Sequence, residues 1–147
     1  MLIVIPAFNE ARRIRDAIAD LRRCVPCADI VVIDDGSIDD TAAIAADAGA
    51  IVLRLPFNLG VGGAMRTGYL YAHERSYDLA VQFDGDSQHR ADHICRLVTA
   101  VAEGADLAVG SRVLDKGDYH FPFMRKVGSL LLTAVIRIVA GKRFTDP

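Results

Sequence analysis

The order of the predicted elements is the feature that most constrains the fold of this chain. Short apolar runs rich in β-branched residues alternate with longer segments whose apolar residues recur at helical spacing. These patterns are typical of buried parallel strands and of helices with one apolar face. The predicted strands cover residues 2–5, 30–33, 51–55, 79–83 and 107–109. Three of the predicted helices cover residues 10–23, 60–76 and 90–103. Another follows the second strand, where Asp39 or Asp40 can cap it, and ends at Ala48.

This β-α-β-α-β-α-β-α-β order predicts an α/β fold with a mostly parallel sheet and helices on both faces. A length of 147 residues fits a single domain over residues 1–147. The chain has 17 Lys and Arg residues against 19 Asp and Glu, so it lacks the excess of basic residues that is typical of nucleic-acid-binding proteins. No nucleic acid is therefore expected as a partner. The longest apolar runs are shorter than the about 20 residues that span a bilayer.

Polar residues follow four of the predicted strands, at residues 6–10, 34–37, 84–86 and 110–112. Asp, Gly and Ser are ordinary turn and cap residues, so any one of these segments could be a simple turn. Ligands of open α/β sheets, however, bind at the carboxyl ends of the strands. The recurrence of charged residues after four strands therefore favours a binding site at this edge.

Asp84, Gly85 and Asp86 form the most specific of these segments. Two carboxylates that flank a glycine after a buried strand can share a divalent cation, and Gln88 adds an amide oxygen. Such a cation would neutralise a diphosphate and stabilise the charge on a leaving group. Alone, an Asp-x-Asp pattern is also common in turns.

Asp35 follows the second predicted strand and can accept hydrogen bonds from a nucleobase or a ribose, or it can cap the next helix. Arg112 and Arg125 can each bind phosphate oxygens with two parallel hydrogen bonds. Each arginine could equally be an ordinary solvated side chain.

Five segments together resemble family 2 glycosyltransferases, in family order and near family spacing. They read IPAFNE at 5–10, VIDDGSIDDT at 32–41, NLGVGGA at 58–64, FDGDSQH at 83–89 and GSR at 110–112. The resemblance implies the nucleotide-diphospho-sugar transferase fold, which is the Rossmann-like GT-A fold. Within the family, the chain is most similar to polyprenyl-phosphate (dolichyl-phosphate-type) mannosyl- and glucosyltransferases. The resemblance covers essentially the whole chain.

The resemblance implies transfer of a sugar from a UDP- or GDP-sugar donor to a lipid-phosphate or saccharide acceptor, assisted by Mg²⁺ or Mn²⁺. It implies Asp86 and Arg112 as catalytic residues, and Arg125 and Ser129 as the pair that holds an acceptor phosphate. The implied metal ligands are Asp84, Asp86 and Gln88. The implied nucleotide-sugar-binding residues are Pro6, Phe8, Glu10, Ile33, Asp35, Phe83, Asp84, Gly85 and Arg112.

The chain departs from the family pattern at two positions. Phe8 stands where the family usually has tyrosine, so a hydroxyl is lost and a ring is kept. Arg90 and Ala91 stand where relatives often have two prolines. Relatives also continue beyond the position of Pro147, so we expect a catalytic domain truncated at its C-terminus. Such a fragment could bind a donor without turnover.

Residues 125–143 carry apolar residues at helical spacing between basic pairs, and Arg137 interrupts the apolar run. Two interpretations remain open: a helix packed on the domain, or an interfacial helix at a membrane surface. The lipid-phosphate resemblance favours the membrane, which would place the protein in the cytoplasm at the inner face of the membrane.

A phosphatase of the haloacid dehalogenase type is an alternative, because an Asp-x-Asp after a strand also heads that active site. Its nucleophile would be expected on the first strand, with a Lys and an acid pair later in the chain, but strand one here carries Pro6 and Asn9 instead. Cys24 and Cys27 form a C-x-x-C after a helix, with no second pair to complete a zinc site, which indicates a structural role. Cys95 is predicted to be buried in the core of its helix.

Overall fold

The computed structural model of the protein describes residues 1–84 and 91–110, without the side chain of Asp92. The chain divides into two compact units, Met1–Thr99 and Ala100–Pro147. The first unit contains the sheet, and residues 100–110 are the described part of the second. The single domain predicted over residues 1–147 stays a prediction. None of the helices in the described part of the chain has the length and apolar character needed to cross a membrane.

Strands and helices alternate in the predicted order through the first unit. The strands are β1 (Leu2–Ala7), β2 (Asp29–Asp34), β3 (Ile51–Arg54) and β4 (Ala80–Gln82). The helices are α1 (Ile14–Cys24), α2 (Thr41–Asp47), α3 (Gly60–Glu74) and α4 (Ile94–Ala102), and a 3₁₀ turn (Ala91–His93) precedes α4. The four strands pair in parallel in the order β3-β2-β1-β4. The predicted α/β class is therefore confirmed.

The central strand β1 is buried on both faces. Neighbouring side chains in a strand point in opposite directions, so alternate residues of β1 pack in different clusters. Ile3 and Ile5 pack in a cluster that includes the apolar face of α1. Leu2 and Val4 pack in a second cluster that includes Ala64 of α3. All four strand side chains are fully buried, so helices cover both faces of the sheet as predicted.

Two smaller predictions are wrong. Residues 107–109 do not form a fifth strand: Leu107 and Val109 are 79% and 76% exposed, and no strand pairs with them among the described residues. A strand needs a partner for its backbone groups, and local apolar sequence does not supply one. Cys95 is exposed, because α4 turns the adjacent Ile94 into the core and consecutive helical residues cannot share a face.

Candidate functional site

A cleft of about 370 Å³ lies at the carboxyl edge of the sheet, a volume within the usual range for small-molecule sites. Residues that follow each of the four strands contribute to it. The described residues that line it are Pro6, Ala7, Phe8, Glu10, Asp35, Asn58, Gly60, Val61, Ala64 and Asp84. The structure thus brings together five residues predicted for nucleotide-sugar binding: Pro6, Phe8, Glu10, Asp35 and Asp84.

Asp35 lies at the centre of the contacts that build this cleft. It directly follows β2 and is only 3% exposed. Its backbone N–H donates to the carbonyl of Ala7 at 2.8 Å, and its Oδ1 accepts the N–H of Leu59 at 2.7 Å. Leu59 occupies the N-cap position of α3 and makes no side-chain cap bond itself. One carboxylate oxygen therefore holds α3 in place, and no hydrogen bond to the other oxygen is formed within the described residues.

Gly36 lets the loop after β2 pack against the loop after β3. Its φ is +75°, in the left-handed region that favours glycine. A Cβ added there would lie 2.8 Å from the carbonyl carbon of Phe57 and 2.9 Å from the nitrogen of Asn58. Since Asn58 lines the cleft, this close backbone approach sets one wall of the site.

The loop between β1 and α1 is joined to the loop between β2 and α2 by hydrogen bonds that use side chains as acceptors. We call this set of contacts the two-loop network. Its bonds run from Asn9 N–H to Ser37 Oγ (2.9 Å), Ile38 N–H to Asn9 Oδ1 (3.0 Å), Glu10 N–H to Thr41 Oγ1 (2.8 Å) and Ala11 N–H to Asp39 Oδ2 (3.2 Å).

The predicted cap of α2 is provided by one of the two candidate aspartates. Asp40 occupies the N-cap position but makes no side-chain cap bond. Asp39 Oδ1 accepts the backbone N–H of Thr41 at 3.0 Å and also its hydroxyl. The hydroxyl of Thr41, followed by the backbone N–H groups of Thr41 and Ala11, holds the pKa of Asp39 below its usual value. The carboxylate of Asp39 therefore stabilises both loops in its charged form.

Asp84 is turned towards the cleft because Phe83, its neighbour, is anchored in the core. Phe83 is 5% exposed, and its N–H donates to the carbonyl of Val4 at 3.0 Å. Asp84 Oδ1 accepts the side-chain amide of Gln82 at 3.1 Å. The other members of this motif, Gly85, Asp86 and Gln88, lie outside the described residues.

Two residues predicted for donor binding have their side chains in the core. Ile33 is fully buried and packs in the same cluster as Ala64, and Phe83 packs in the cluster on the other face of the sheet. Neither is among the described residues that line the cleft. Their contacts with a donor stay predictions, as do the roles of Arg112, Arg125, Ser129 and residues 125–143, which lie outside the described residues.

The segment at 58–64 resembles the family pattern, but no binding role was predicted for the cleft-lining residues at the start of α3. Asn58 Oδ1 accepts the N–H of Gly60 at 2.9 Å, and Gly60 has a φ of +78°. Val61 and Ala64 line the cleft from the first turns of the same helix. The signal that could have identified them is position, because the loop after the third strand ends at the same edge of the sheet.

The cleft is acidic within the described part of the chain. Glu10, Asp35 and Asp84 line it, and no Lys or Arg is among its described lining residues. Arg13 lies near its margin, with Nη1 3.7 Å from Oε2 of Glu10. The described residues contain no cluster of three or more metal-ligating side chains. Carboxylate oxygens are the ligands that Mg²⁺ and Mn²⁺ prefer, so by its chemistry Asp84 can supply one ligand of a divalent cation.

Comparison with known proteins finds close similarity to enzymes that transfer sugars. The family model described as glycosyl transferase family 2 matches residues 2–140. The chain is 35% identical to an undecaprenyl-phosphate mannosyltransferase of Micrococcus luteus, over 99% of this chain and 62% of that protein. It is 33% identical to a polyprenol monophosphomannose synthase of Mycolicibacterium smegmatis, over 99% and 57%. The chain thus spans about three fifths of the length of these relatives.

Solved structures give the same result for the fold. A crystal structure of glucosyl-3-phosphoglycerate synthase from Mycobacterium tuberculosis, in complex with Mn²⁺, UDP-glucose and phosphoglyceric acid, matches with a TM-score of 0.58. The identity is 27%, over 70% of this chain and 39% of that chain. Another structure of that enzyme, with Mg²⁺ and UDP, matches with a TM-score of 0.56. The predicted GT-A fold is confirmed.

Proposed function

Because the chain belongs to glycosyl transferase family 2, we propose that its cleft binds a UDP- or GDP-sugar and that the protein transfers the sugar to an acceptor. The observation that carries this proposal is the position of Glu10, Asp35 and Asp84 in one cleft at the carboxyl edge of the sheet. Each of these residues belongs to a different segment of the family pattern. The family match also disfavours the alternative of a haloacid-dehalogenase-type phosphatase.

Within the cleft, Asp35 has the geometry of a residue that recognises the nucleoside. Its Oδ1 is held by the N–H of Leu59, which fixes the direction of the carboxylate. Its second oxygen can then accept a hydrogen bond from a base N–H or a ribose hydroxyl. Phe8 is 45% exposed and lines the same cleft, so its ring offers a flat apolar surface to the donor.

A divalent cation is part of the proposal, because a diphosphate would otherwise enter a cleft lined by carboxylates. Asp84 would hold the cation together with Asp86 and Gln88. When bound, the cation offsets the charge that develops on the departing nucleoside diphosphate. Arg112 would add positive charge at the same group.

Titration calorimetry with UDP-glucose and GDP-mannose, with and without Mn²⁺, tests this proposal. We expect one of the two to bind in the presence of Mn²⁺, and Asp84→Ala and Asp86→Ala each to weaken that binding at least tenfold, or about 1.4 kcal/mol. The matched control is Asp47→Ala, since Asp47 ends α2 on the opposite edge of the sheet and is exposed. Absence of binding to both donors, or binding unchanged in the Asp84 and Asp86 variants, would refute the site.

For the acceptor, we propose a lipid phosphate such as a polyprenyl phosphate. The names of the two bacterial relatives support this choice. Arg125 and Ser129 would hold the phosphate, and residues 125–143 would contact the membrane surface, at the inner face in a cytoplasmic protein. We expect transfer of labelled sugar to polyprenyl phosphate and flotation with anionic liposomes. Transfer to a saccharide alone would exclude the lipid acceptor, and donor binding without any transfer would identify the chain as a binding fragment.

A further inference from the structure

Asn9 stands between two residues that line the cleft, yet it is not among the described lining residues itself. Phe8 and Glu10 flank it, and both contribute to the cleft. Asn9 has a φ of +57°, which few residues other than glycine adopt and which asparagine tolerates better than most. The backbone at this position therefore turns sharply and presents Phe8 and Glu10 to the cleft.

The backbone N–H and the side-chain oxygen of Asn9 both bind the loop that follows β2. Its backbone N–H donates to Ser37 Oγ at 2.9 Å, and its Oδ1 accepts the N–H of Ile38 at 3.0 Å. Asn9 and Ile38 are 29 residues apart in the chain, so these bonds join two separate loops. The side chain of Asn9 is thus occupied in a contact between loops.

The partner of Asn9 is itself fixed by a buried charge. The N–H of Ser37 donates to Oδ1 of Asp34 at 3.1 Å, and Asp34 is completely buried. Oδ2 of Asp34 accepts Nε of Arg54 at 3.0 Å, so this carboxylate is paired as well as hydrogen-bonded. Ser37 therefore connects Asn9 to the end of β2, which the bonds of Asp34 hold in place.

We propose that Asn9 is a positioning residue, which fixes Phe8 and Glu10 at the cleft by joining the β1–α1 loop to the β2–α2 loop. This inference rests on the proposed function, because donor affinity is the property that Asn9 would control. Asn9 acts without touching the donor: it reduces the freedom that the loop would lose when the donor binds. Pre-organisation of this kind raises affinity by lowering the entropic cost of binding.

Three substitutions of Asn9 separate its two contributions. Asn9→Asp keeps a side-chain acceptor and tolerance of positive φ, Asn9→Gly keeps only the positive φ, and Asn9→Ala keeps neither. We expect the donor Kd with Mn²⁺ to rise about tenfold in Asn9→Ala and about threefold in Asn9→Gly. In Asn9→Asp we expect it to stay within about twofold. The reason is that affinity falls as the loop becomes less ordered before the donor binds.

Affinity is measured well below the melting temperature of each variant, so a residue that affected only stability would leave the Kd of the folded protein unchanged. A wild-type Kd in Asn9→Ala would overturn the inference, and so would an Asn9→Asp variant as weak as Asn9→Ala. The order Asp, Gly, Ala in increasing Kd supports it.

Hydrogen exchange separates failure of this inference from failure of the proposed function. The amides of Glu10 and Ala11 bond to Thr41 and Asp39 and do not bond to Asn9. If the wild-type protein binds neither donor, the proposed function fails and exchange at these two amides decides the role of Asn9. Exchange that is faster in Asn9→Ala and unchanged in Asn9→Asp supports a positioning role. Equal exchange in all variants refutes it.

Discussion

Gly68→Ala is expected to destabilise the protein by about 2 to 3 kcal/mol, the upper part of the range for overpacked cores. Gly68 is buried where α3 crosses the central strand. A Cβ at this position would overlap Cγ1 of Val4 and lie 3.2 Å from Cγ2. Val4 cannot move aside easily, because its branched side chain is stiff and its strand is paired on both sides with β2 and β4. The helix would have to move away from the sheet.

The matched control for this substitution is Gly62→Ala in the same helix. A Cβ at Gly62 would meet no atom within 4 Å, so the change adds helix propensity without a clash. We expect Gly62→Ala to be neutral or to stabilise by up to about 1 kcal/mol. Urea denaturation of both variants measures the difference in unfolding free energy. A Gly68→Ala variant as stable as the wild type would show that α3 is not held against β1 at this distance.

A double-mutant cycle identifies the clash itself. Val4→Ala removes Cγ1 and Cγ2, the two nearest atoms that the new methyl group would meet, and leaves Val4 Cβ at 3.3 Å, at the expense of a cavity in the core. In the double variant, the methyl group added at residue 68 occupies space that the shortened side chain at residue 4 vacates. We expect the combined loss to be smaller than the sum of the single losses by at least about 1 kcal/mol. Additive losses would mean that Gly68→Ala acts through another contact.

The element order could be predicted from the sequence because strand and helix periods are local properties. The ends of the elements were less predictable. Helix α1 begins at Ile14 and not near residue 10, because Asn9 has a positive φ and the carbonyl of Glu10 accepts the N–H groups of Arg13 and Ile14 in a turn. The absence of a strand at residues 107–109 was also beyond local reasoning, since strand formation depends on a distant partner.

Much of the candidate site was predictable for a topological reason. Parallel strands end at one edge, so residues that follow them, such as Phe8, Asp35 and Asp84, meet there whatever their separation in sequence. Side-chain direction was harder to predict. Phe83 directly precedes Asp84 and faces the core, because neighbouring side chains in extended backbone point to opposite sides. Ile33 lies inside β2, two residues before Asp35, and packs in the core with Ala64 of α3.

The second large effect is expected at Gly36, where an alanine would meet two separate obstacles. A positive φ costs an L-residue about 1 to 2 kcal/mol. The Cβ would also lie 2.8 Å from the carbonyl carbon of Phe57, a backbone atom that no side-chain rotation can move. We expect Gly36→Ala to lose about 2 to 5 kcal/mol of stability, the sum of strain and overpacking.

Gly49→Ala separates these two contributions. Gly49 has a φ of +82°, close to that of Gly36, but the nearest atom to its added Cβ is Nη2 of the flexible Arg22 at 3.9 Å. In this control, stability should therefore fall only by the cost of the positive φ, about 1 to 2 kcal/mol. Its affinity for the donor should equal that of the wild type. Gly36→Ala should in addition weaken donor binding, because displacement of the backbone at residues 57 and 58 moves Asn58 in the wall of the cleft. Equal stability losses in the two variants, with equal donor affinities, would show that the contact between Gly36 and Phe57 does not shape the site.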